Sequence, residues 1–168
     1  MITTYIGLGA NLDDPCAQIM RAIDELAALP DSRLLASSGL YRSAPLPCPE
    51  QTGEATQPDY FNAVSRLETR LRPHALLDAL QAIEQAHGRR RDARRWGPRP
   101  LDLDILLYGN QQLEDERLRL PHVGMAQRHF VLYPLRELAP GSLEIPGHGS
   151  LADLLERCSQ DGLEKITS

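Results

Sequence analysis

The most constraining feature of the sequence is the order of six hydrophobic segments, which alternate between the period of a strand and that of a helix. Segments rich in β-branched residues or in apolar–polar alternation predict strands, whereas apolar residues spaced three or four apart predict helices. The predicted strands cover residues 2–8, 33–42, 60–70 and 101–108, and the predicted helices cover residues 15–29 and 73–87. The sequence therefore predicts the element order βαββαβ.

This order is typical of an α+β sandwich of the ferredoxin-like type. Additional C-terminal helices are expected over residues 125–138 and 151–158, with a short β segment near residues 143–146. A length of 168 residues fits one hydrophobic core, so residues 1–168 are expected to form a single domain. No apolar run is long enough to span a membrane, and the N-terminus lacks a signal-peptide pattern, so we expect a cytoplasmic protein.

Two acidic residues, Asp102 and Asp104, stand in the last predicted strand, LDLDILLY. Strand side chains alternate between faces, so both carboxylates should project from one face, roughly 7 Å apart along the strand. Leu101, Leu103 and Ile105 should then point into the core. Mg²⁺ is commonly held by a few carboxylates together with substrate phosphates, which makes the pair a candidate metal site. On its own the pattern is weak, because Asp-x-Asp is more often a solvated strand face.

A group of arginines precedes this strand, in a segment that contains the only tryptophan of the chain, Trp96. The group comprises Arg89, Arg90, Arg91, Arg94, Arg95 and Arg99. Guanidinium groups suit phosphate oxygens, and an indole offers a flat face to a heterocycle. Because the net charge of the whole chain is −5, this local basic segment indicates a small phosphorylated ligand rather than a long nucleic acid.

Two alternative functions stay open at this point. The arginines and aromatic residues could form a non-catalytic nucleic-acid-binding module, which would bind with a steep salt dependence and without Mg²⁺. The Asp-x-Asp pair could instead belong to a nucleotide-sugar transferase, although the chain is short for one. A Walker-type phosphate loop is absent, and Leu12 replaces the third glycine of a Rossmann-type motif.

Seven blocks of the sequence together resemble one family, the 6-hydroxymethyl-7,8-dihydropterin pyrophosphokinases of folate biosynthesis. The blocks occur in the family's order, and RWGPRPLDLDI is the most specific of them. They are YIGLGANL (5–12), LYRSAP (40–45), QPDYFNAV (57–64), IEQAHGRRR (83–91), RRWGPRPLDLDILLYG (94–109), LPH (120–122) and RHFVLYPLREL (128–138). Together they cover roughly residues 2–140.

The resemblance implies a monomer that transfers pyrophosphate from ATP to the hydroxymethyl group of the pterin, giving AMP and the pterin diphosphate. Asp102 and Asp104 match the two metal-binding aspartates, which would hold two Mg²⁺ ions. The positions that match the pterin pocket are Ser43, Pro45, Leu46, Tyr60, Asn62, Trp96 and Phe130. The positions that match the ATP side are Gln81, Glu84, Arg91, Arg99, Ile105, Arg117, His122 and Arg128. Neither a nucleic-acid nor a membrane partner is expected.

These residues suggest a mechanism without a dedicated side-chain base, because metal coordination can acidify the attacking hydroxyl group. Arg89 matches an arginine associated with catalysis and loop closure. Together with Arg91 and Arg99 it would stabilise charge that develops on the transferred group. Closure of the segments 46–58 and 88–100 would exclude water, which otherwise competes as the acceptor.

Overall fold

The computed structural model describes residues 1–12, 14–43, 59–88 and 100–166 of the chain. Its first elements are β1 (Ile2–Ala10), α1 (Pro15–Ala27), β2 (Ser32–Ser37), β3 (Tyr41–Ser43), β4 (Tyr60–Thr69), α2 (Pro73–Ala86) and β5 (Asp102–Tyr108). They are followed by β6 (Leu113–Glu114), β7 (Arg119–Leu120), a 3-10 turn (Met125–Gln127), α3 (His129–Arg136), β8 (Glu144–Ile145), β9 (Gly149–Ser150), α4 (Leu151–Arg157) and β10 (Leu163–Lys165).

One antiparallel sheet organises these elements. Its strands lie in the order β10-β3-β4-β1-β5, and β2 also pairs with β4. The first strand of the chain therefore lies between β4 and β5, with every neighbour antiparallel to it. Each long helix connects two parallel strands across an intervening one, which is the arrangement expected of a βαββαβ sandwich. The predicted α+β fold class is confirmed.

Two hydrophobic clusters attach helices to opposite faces of this sheet. The first cluster joins α1 and α2 to one face through fully buried side chains that include Ile19, Leu26, Leu76 and Leu80. The second cluster joins α3 and α4 to the other face, and its buried members include Leu132, Leu135 and Leu151. Helices α3 and α4 thus add a third layer to the sandwich. Within the described ranges, no helix is long and apolar enough to cross a membrane.

Local signals set the ends of the two long helices. Pro15 and Pro73 begin α1 and α2 at a position where the missing N–H costs nothing. The Asp14 carboxylate accepts a hydrogen bond from the backbone N–H of Ala17 at 3.4 Å and caps α1. At the other end of α2, His87 is the cap residue and Gly88 follows with φ +96, in the left-handed region that glycine adopts without strain.

Three boundaries differ from the sequence prediction. The expected second strand, residues 33–42, divides into β2 and β3 because the Ser38 hydroxyl accepts the Val64 N–H and replaces a ladder bond. The expected helix over residues 125–138 divides at Arg128, whose backbone is extended. The first strand was expected to end at residue 8, but Gly9 and Ala10 continue β1 in register with β4. The short strands β6, β7 and β10 carry no periodic signal and were not predicted.

A polar cluster fastens the end of α3 to the sheet. The Glu137 carboxylate accepts hydrogen bonds from the Tyr41 hydroxyl and from the backbone N–H of Gly39, the latter at 3.1 Å, and Lys165 lies 3.2 Å away. Burial raises the pKa of Glu137, but these three partners outweigh burial and hold the pKa below its ordinary value. Burial and the same hydrogen bond raise the pKa of Tyr41.

Replacing Glu137 with glutamine is expected to lower the free energy of unfolding by about 1–2 kcal/mol at neutral pH, because hydrogen bonds to a charged acceptor are lost. A lowered folded-state pKa stabilises the protein fully above the unfolded value, 4.5, and that stabilisation is lost as the pH falls through the folded pKa. The difference between the two proteins should therefore shrink below pH 4.5. Urea unfolding at several pH values tests this, with Glu144→Gln on an exposed side chain as control. A difference independent of pH would contradict it.

Candidate active site

The two aspartates of β5 project from the same face of the sheet. Leu101, Leu103 and Ile105 are 0%, 3% and 2% exposed and lie in the cluster under α1 and α2, as the alternation predicts. Asp102 and Asp104 are therefore on the opposite face, and the Asp104 side chain remains 38% exposed. This is the face that α3 and α4 cover only in part, so both carboxylates are accessible to a ligand.

Gly9 forms the floor between Asp102 and Asn62, whereas the Leu106 side chain packs over Gly7. Gly9 pairs with Asp102 on one side and with Asn62 on the other, while Gly7 pairs with Asp104. Adjacent strands lie about 4.8 Å apart, so Asn62 and Asp102 face each other across roughly 10 Å with no side chain between them. A Cβ atom at Gly9 would lie 3.2 Å from Asn62 Oδ1. We call this depression the glycine trough.

A buried polar pair borders the trough on the β3–β4 side. Asn62 Nδ2 donates a hydrogen bond to Ser43 Oγ at 2.9 Å, and these residues are 6% and 2% exposed. The bond fixes the amide plane and leaves Asn62 Oδ1 above Gly9. Tyr60 pairs with Ser43 and is half-buried on the same face. Three of the predicted pterin-pocket residues therefore lie together.

His122 borders the trough on the β5 side. Its backbone N–H donates to the Leu106 carbonyl at 3.0 Å, and its Nε2 lies 3.6 Å from Asp104 Oδ1. Burial lowers the pKa of His122, but its interactions with Asp104 and Asp102 outweigh burial and raise it overall. Nδ1 is buried, and the described part of the chain offers it no hydrogen-bond partner. Buried polar atoms in folded proteins usually have a hydrogen-bond partner.

Arg128 and Phe130 lie at the start of α3, above the same face. The Arg128 guanidinium is 5.7 Å from the centre of the Phe130 ring, within the range of a cation–π contact. Its positive charge also opposes protonation of His122, so the two side chains are close in space. The structure thus places Arg128 near His122, which in turn lies beside Asp104.

Glu84 is a buried residue of α2 that hydrogen-bonds to the strand carrying the two aspartates. This residue is 5% exposed, and its Oε2 accepts the backbone N–H of Leu103, between the two aspartates, at 2.8 Å. In the structure Glu84 connects α2 to the edge strand β5. The resemblance placed it on the ATP side, and a contact with the nucleotide stays a prediction. The Ile105 side chain points into the core, so only its backbone can meet a ligand.

Gln81 and Arg117 form an exposed group on the outer side of α2. Arg117 Nη2 lies 2.5 Å from Asp78 Oδ1 and 3.4 Å from Gln81 Oε1, so the arginine is held against the helix. Six further predicted site residues lie outside the described residues. These are Pro45, Leu46, Arg89, Arg91, Trp96 and Arg99.

Sequence reasoning missed the structural role of Gly9, which lies beyond the predicted end of the first strand. Glycines two residues apart inside a β-branched segment share one face of a strand, and this spacing was the available signal. The pairing of Asn62 with Ser43 carried no such signal, because it depends on the register of two strands that are distant in sequence.

Comparison with known proteins decides the family. A model of the 7,8-dihydro-6-hydroxymethylpterin-pyrophosphokinase (HPPK) family matches residues 5–140. The chain belongs to the HPPK family. Membership of this family confirms the predicted family, the predicted pyrophosphoryl transfer and its place in folate biosynthesis. The comparisons support neither the nucleic-acid-binding alternative nor the sugar-transferase alternative.

Several HPPK relatives match over almost their whole length. A 2-amino-4-hydroxy-6-hydroxymethyldihydropteridine pyrophosphokinase of Pseudomonas aeruginosa is 51% identical, with 96% of this chain and 95% of the relative covered. The enzyme of the same name from Haemophilus influenzae is 44% identical, with 99% of each chain covered. The Schizosaccharomyces pombe folic acid synthesis protein fol1 is 36% identical over 98% of this chain but only 21% of its own length.

Solved structures confirm the HPPK fold. A Plasmodium falciparum HPPK-DHPS triple mutant with pteroate has a TM-score of 0.71 at 14% identity, covering 98% of this chain and 46% of that one. The wild-type protein with pteroate has a TM-score of 0.70 at 13% identity, covering 93% and 42%. The chain spans less than half the length of these solved chains, and at such identities the likeness concerns the fold alone.

Proposed function

We propose that the chain transfers the pyrophosphoryl group of ATP to the hydroxymethyl group of 6-hydroxymethyl-7,8-dihydropterin, with the chemistry taking place over the glycine trough. The observation that carries this assignment is the pair of accessible carboxylates on one face of β5, opposite the buried Asn62–Ser43 pair. The carboxylates on β5 suit the phosphates of ATP and their cation. The Asn62–Ser43 pair suits a planar ring with hydrogen-bonding edges. Membership of the HPPK family supplies the identity of both substrates.

Asp102 and Asp104 are the residues that would hold Mg²⁺. Their carboxylates are hard oxygen donors at adjacent positions of one strand face, which suits this cation. No group of three or more metal-binding side chains occurs within the described ranges. Two carboxylates without further protein ligands are the pattern by which Mg²⁺ is bound jointly with substrate phosphates. Bound there, the cation would polarise the phosphoryl oxygens and acidify the attacking hydroxyl group.

The Asn62 side recognises the pterin in this proposal. Because Nδ2 is already used by Ser43, the carbonyl Oδ1 above Gly9 is oriented to accept a hydrogen bond from an N–H group of the ring. A buried acceptor in fixed orientation discriminates strongly against ligands that lack the matching donor. Tyr60 and Phe130, with Trp96, Pro45 and Leu46 outside the described residues, complete the predicted pocket.

The remaining polar residues position the triphosphate and stabilise its charge. In this proposal His122, whose Nε2 lies 3.6 Å from Asp104 Oδ1, donates to a phosphate or ribose oxygen. Arg128 contributes a fixed positive charge on the same side. Gln81, Glu84, Ile105 and Arg117 stay predictions for the nucleotide, as do Arg89, Arg91 and Arg99. No side chain has to act as a base, since the attacking hydroxyl loses its proton to solvent or to a phosphate oxygen.

The products of the reaction test this assignment. Incubation of the protein with ATP, Mg²⁺ and 6-hydroxymethyl-7,8-dihydropterin is expected to give AMP and the pterin diphosphate in equal amounts. Chromatography of the nucleotides distinguishes AMP from ADP. Formation of ADP would indicate transfer of a single phosphoryl group, and AMP formation without dependence on the pterin would refute the assignment of the acceptor. The monomeric state, the cytoplasmic location and the absence of nucleic-acid and membrane partners remain predictions.

A further inference from the structure

The C-terminal strand β10 lies in the sheet beside the strand that carries Ser43. β10 pairs antiparallel with β3, and the register places Leu163 opposite Ser43. Just past the end of β10, the backbone N–H of Ile166 donates to the Leu40 carbonyl at 2.8 Å and continues the ladder. β3 therefore has a partner strand on each side, β4 and β10, instead of lying at the edge of the sheet.

The register also shows which backbone groups join the two strands. Hydrogen-bonded pairs alternate with non-hydrogen-bonded pairs along an antiparallel ladder. Because Ile166 bonds to Leu40, the next hydrogen-bonded pair along the ladder is Glu164 with Arg42. The side chains of Glu164 and Arg42 form an ion pair as well, but they are 61% and 43% exposed, and exposed pairs contribute little to stability. The attachment of β10 to β3 therefore depends mainly on the backbone.

A direct series of contacts leads from β10 to the pterin side of the glycine trough. Leu163 faces Ser43 as a non-hydrogen-bonded pair, the kind in which two side chains approach most closely. The Ser43 hydroxyl accepts the Asn62 amide N–H at 2.9 Å, and Asn62 Oδ1 lies above Gly9. Each step from β10 to the floor of the trough is thus a contact between residues that the structure describes.

Strand β3 alone gives Ser43 little support. The strand has three residues, Tyr41–Ser43, and Ser43 is the last of them. The end of a short edge strand opens easily, because few hydrogen bonds fix its backbone. β10 is itself anchored, since Lys165 Nζ lies 3.2 Å from the carboxylate of Glu137, the cap residue of α3. A second, anchored partner strand therefore restricts the movement of Ser43 and, through it, the direction of the Asn62 amide.

We propose that β10 is a positioning element for pterin recognition. By fixing the β3 backbone at Arg42, it keeps the Ser43 hydroxyl where it accepts the Asn62 amide, so that Asn62 Oδ1 stays oriented toward the ring. β10 touches neither substrate and acts through Ser43. It follows residues 5–140, the part of the chain that the family model matches, so that match assigns it no role. The inference rests on the role proposed above for Asn62.

Steady-state kinetics of Glu164→Pro test the proposal, because proline removes the backbone N–H that joins β10 to β3 and leaves every residue of the trough in place. The KM for the pterin should rise roughly tenfold, as expected when one hydrogen bond to the ring is weakened. The KM for ATP should change little, because the carboxylates of β5 lie on the other side of the trough. Glu164→Ala is the matched control: it removes the same side chain but keeps the N–H, so its pterin KM should stay close to that of the unmodified enzyme.

Several outcomes would overturn the proposal. A folded Glu164→Pro enzyme with an unchanged pterin KM, an equal rise in both KM values, or an alanine variant as impaired as the proline variant would each do so. If urea unfolding shows that Glu164→Pro does not fold, Ile166→Pro removes only the N–H donated to Leu40, and its pterin KM decides in the same way. Asn62→Ala separates the two hypotheses. An unchanged pterin KM in that variant would refute the pterin pocket, whereas a raised one beside an unaffected Glu164→Pro enzyme would refute only the role of β10.

Discussion

Replacing Asp102 or Asp104 with alanine is expected to lower turnover roughly 1,000-fold, equivalent to about 4 kcal/mol of transition-state stabilisation. Both carboxylates lie on the accessible face of β5 and are the only acidic pair there that the described residues place beside the glycine trough. With one carboxylate removed, the remaining one cannot hold the cation in the geometry that the triphosphate requires. The fold should persist, because the apolar neighbours of both aspartates keep the strand in place.

Initial rates of AMP formation across a range of Mg²⁺ concentrations measure this effect. Asp24→Ala provides a matched control, since Asp24 is an exposed carboxylate on α1. The pterin KM should change little in the β5 variants, because Asn62 and Ser43 are intact. Turnover close to that of the unmodified enzyme at saturating Mg²⁺ would rule out the two aspartates as metal ligands.

Replacing Glu84 with alanine is expected to have the second largest effect, on stability and turnover together. The Leu103 N–H would lose a charged acceptor in a buried position, which should lower the free energy of unfolding by about 2–3 kcal/mol. Because Leu103 lies between Asp102 and Asp104, loss of this tie should also loosen the metal-binding face and slow turnover by roughly tenfold. Urea unfolding and steady-state kinetics on the same preparation measure both quantities.

A glutamine at position 84 distinguishes a structural tie from a contact with ATP. The amide oxygen of Glu84→Gln can still accept the Leu103 N–H, so stability and turnover should return close to those of the unmodified enzyme. If the negative charge of Glu84 instead contributes to ATP binding, the KM for ATP of the glutamine variant should be higher than that of the unmodified enzyme. Glu156→Ala, on an exposed side chain of α4, controls for the loss of a carboxylate.

Much of the fold follows from local patterns in the sequence. The apolar spacing on α2 predicts that Leu76 and Leu80 are buried, and both lie in the core. The alternation along β5 predicts that Asp102 and Asp104 lie on the other face, and the structure places them there. Pro73 at the start of α2 and Gly88 after its last turn marked the ends of that helix, because each has a backbone preference that acts locally.

The features that the sequence did not reveal depend on contacts between distant segments. Glu84 belongs to an amphipathic helix, and only the approach of β5 makes it a buried acceptor. The break between β2 and β3 arises because the Ser38 hydroxyl competes for the N–H of a residue on β4. The site residues on β3 and β4 come together through strand register, which periodicity alone does not determine.

The absence of a side chain at Gly9 affects which mutations could make the enzyme resistant to an inhibitor. A compound that rests on the floor of the trough contacts main-chain atoms, and substitution cannot remove those. Any other residue at position 9 would bring a Cβ atom to 3.2 Å from Asn62 Oδ1. A resistance substitution at this floor would therefore also hinder binding of the pterin. Compounds that fill the trough should select for resistance mutations elsewhere in the pocket.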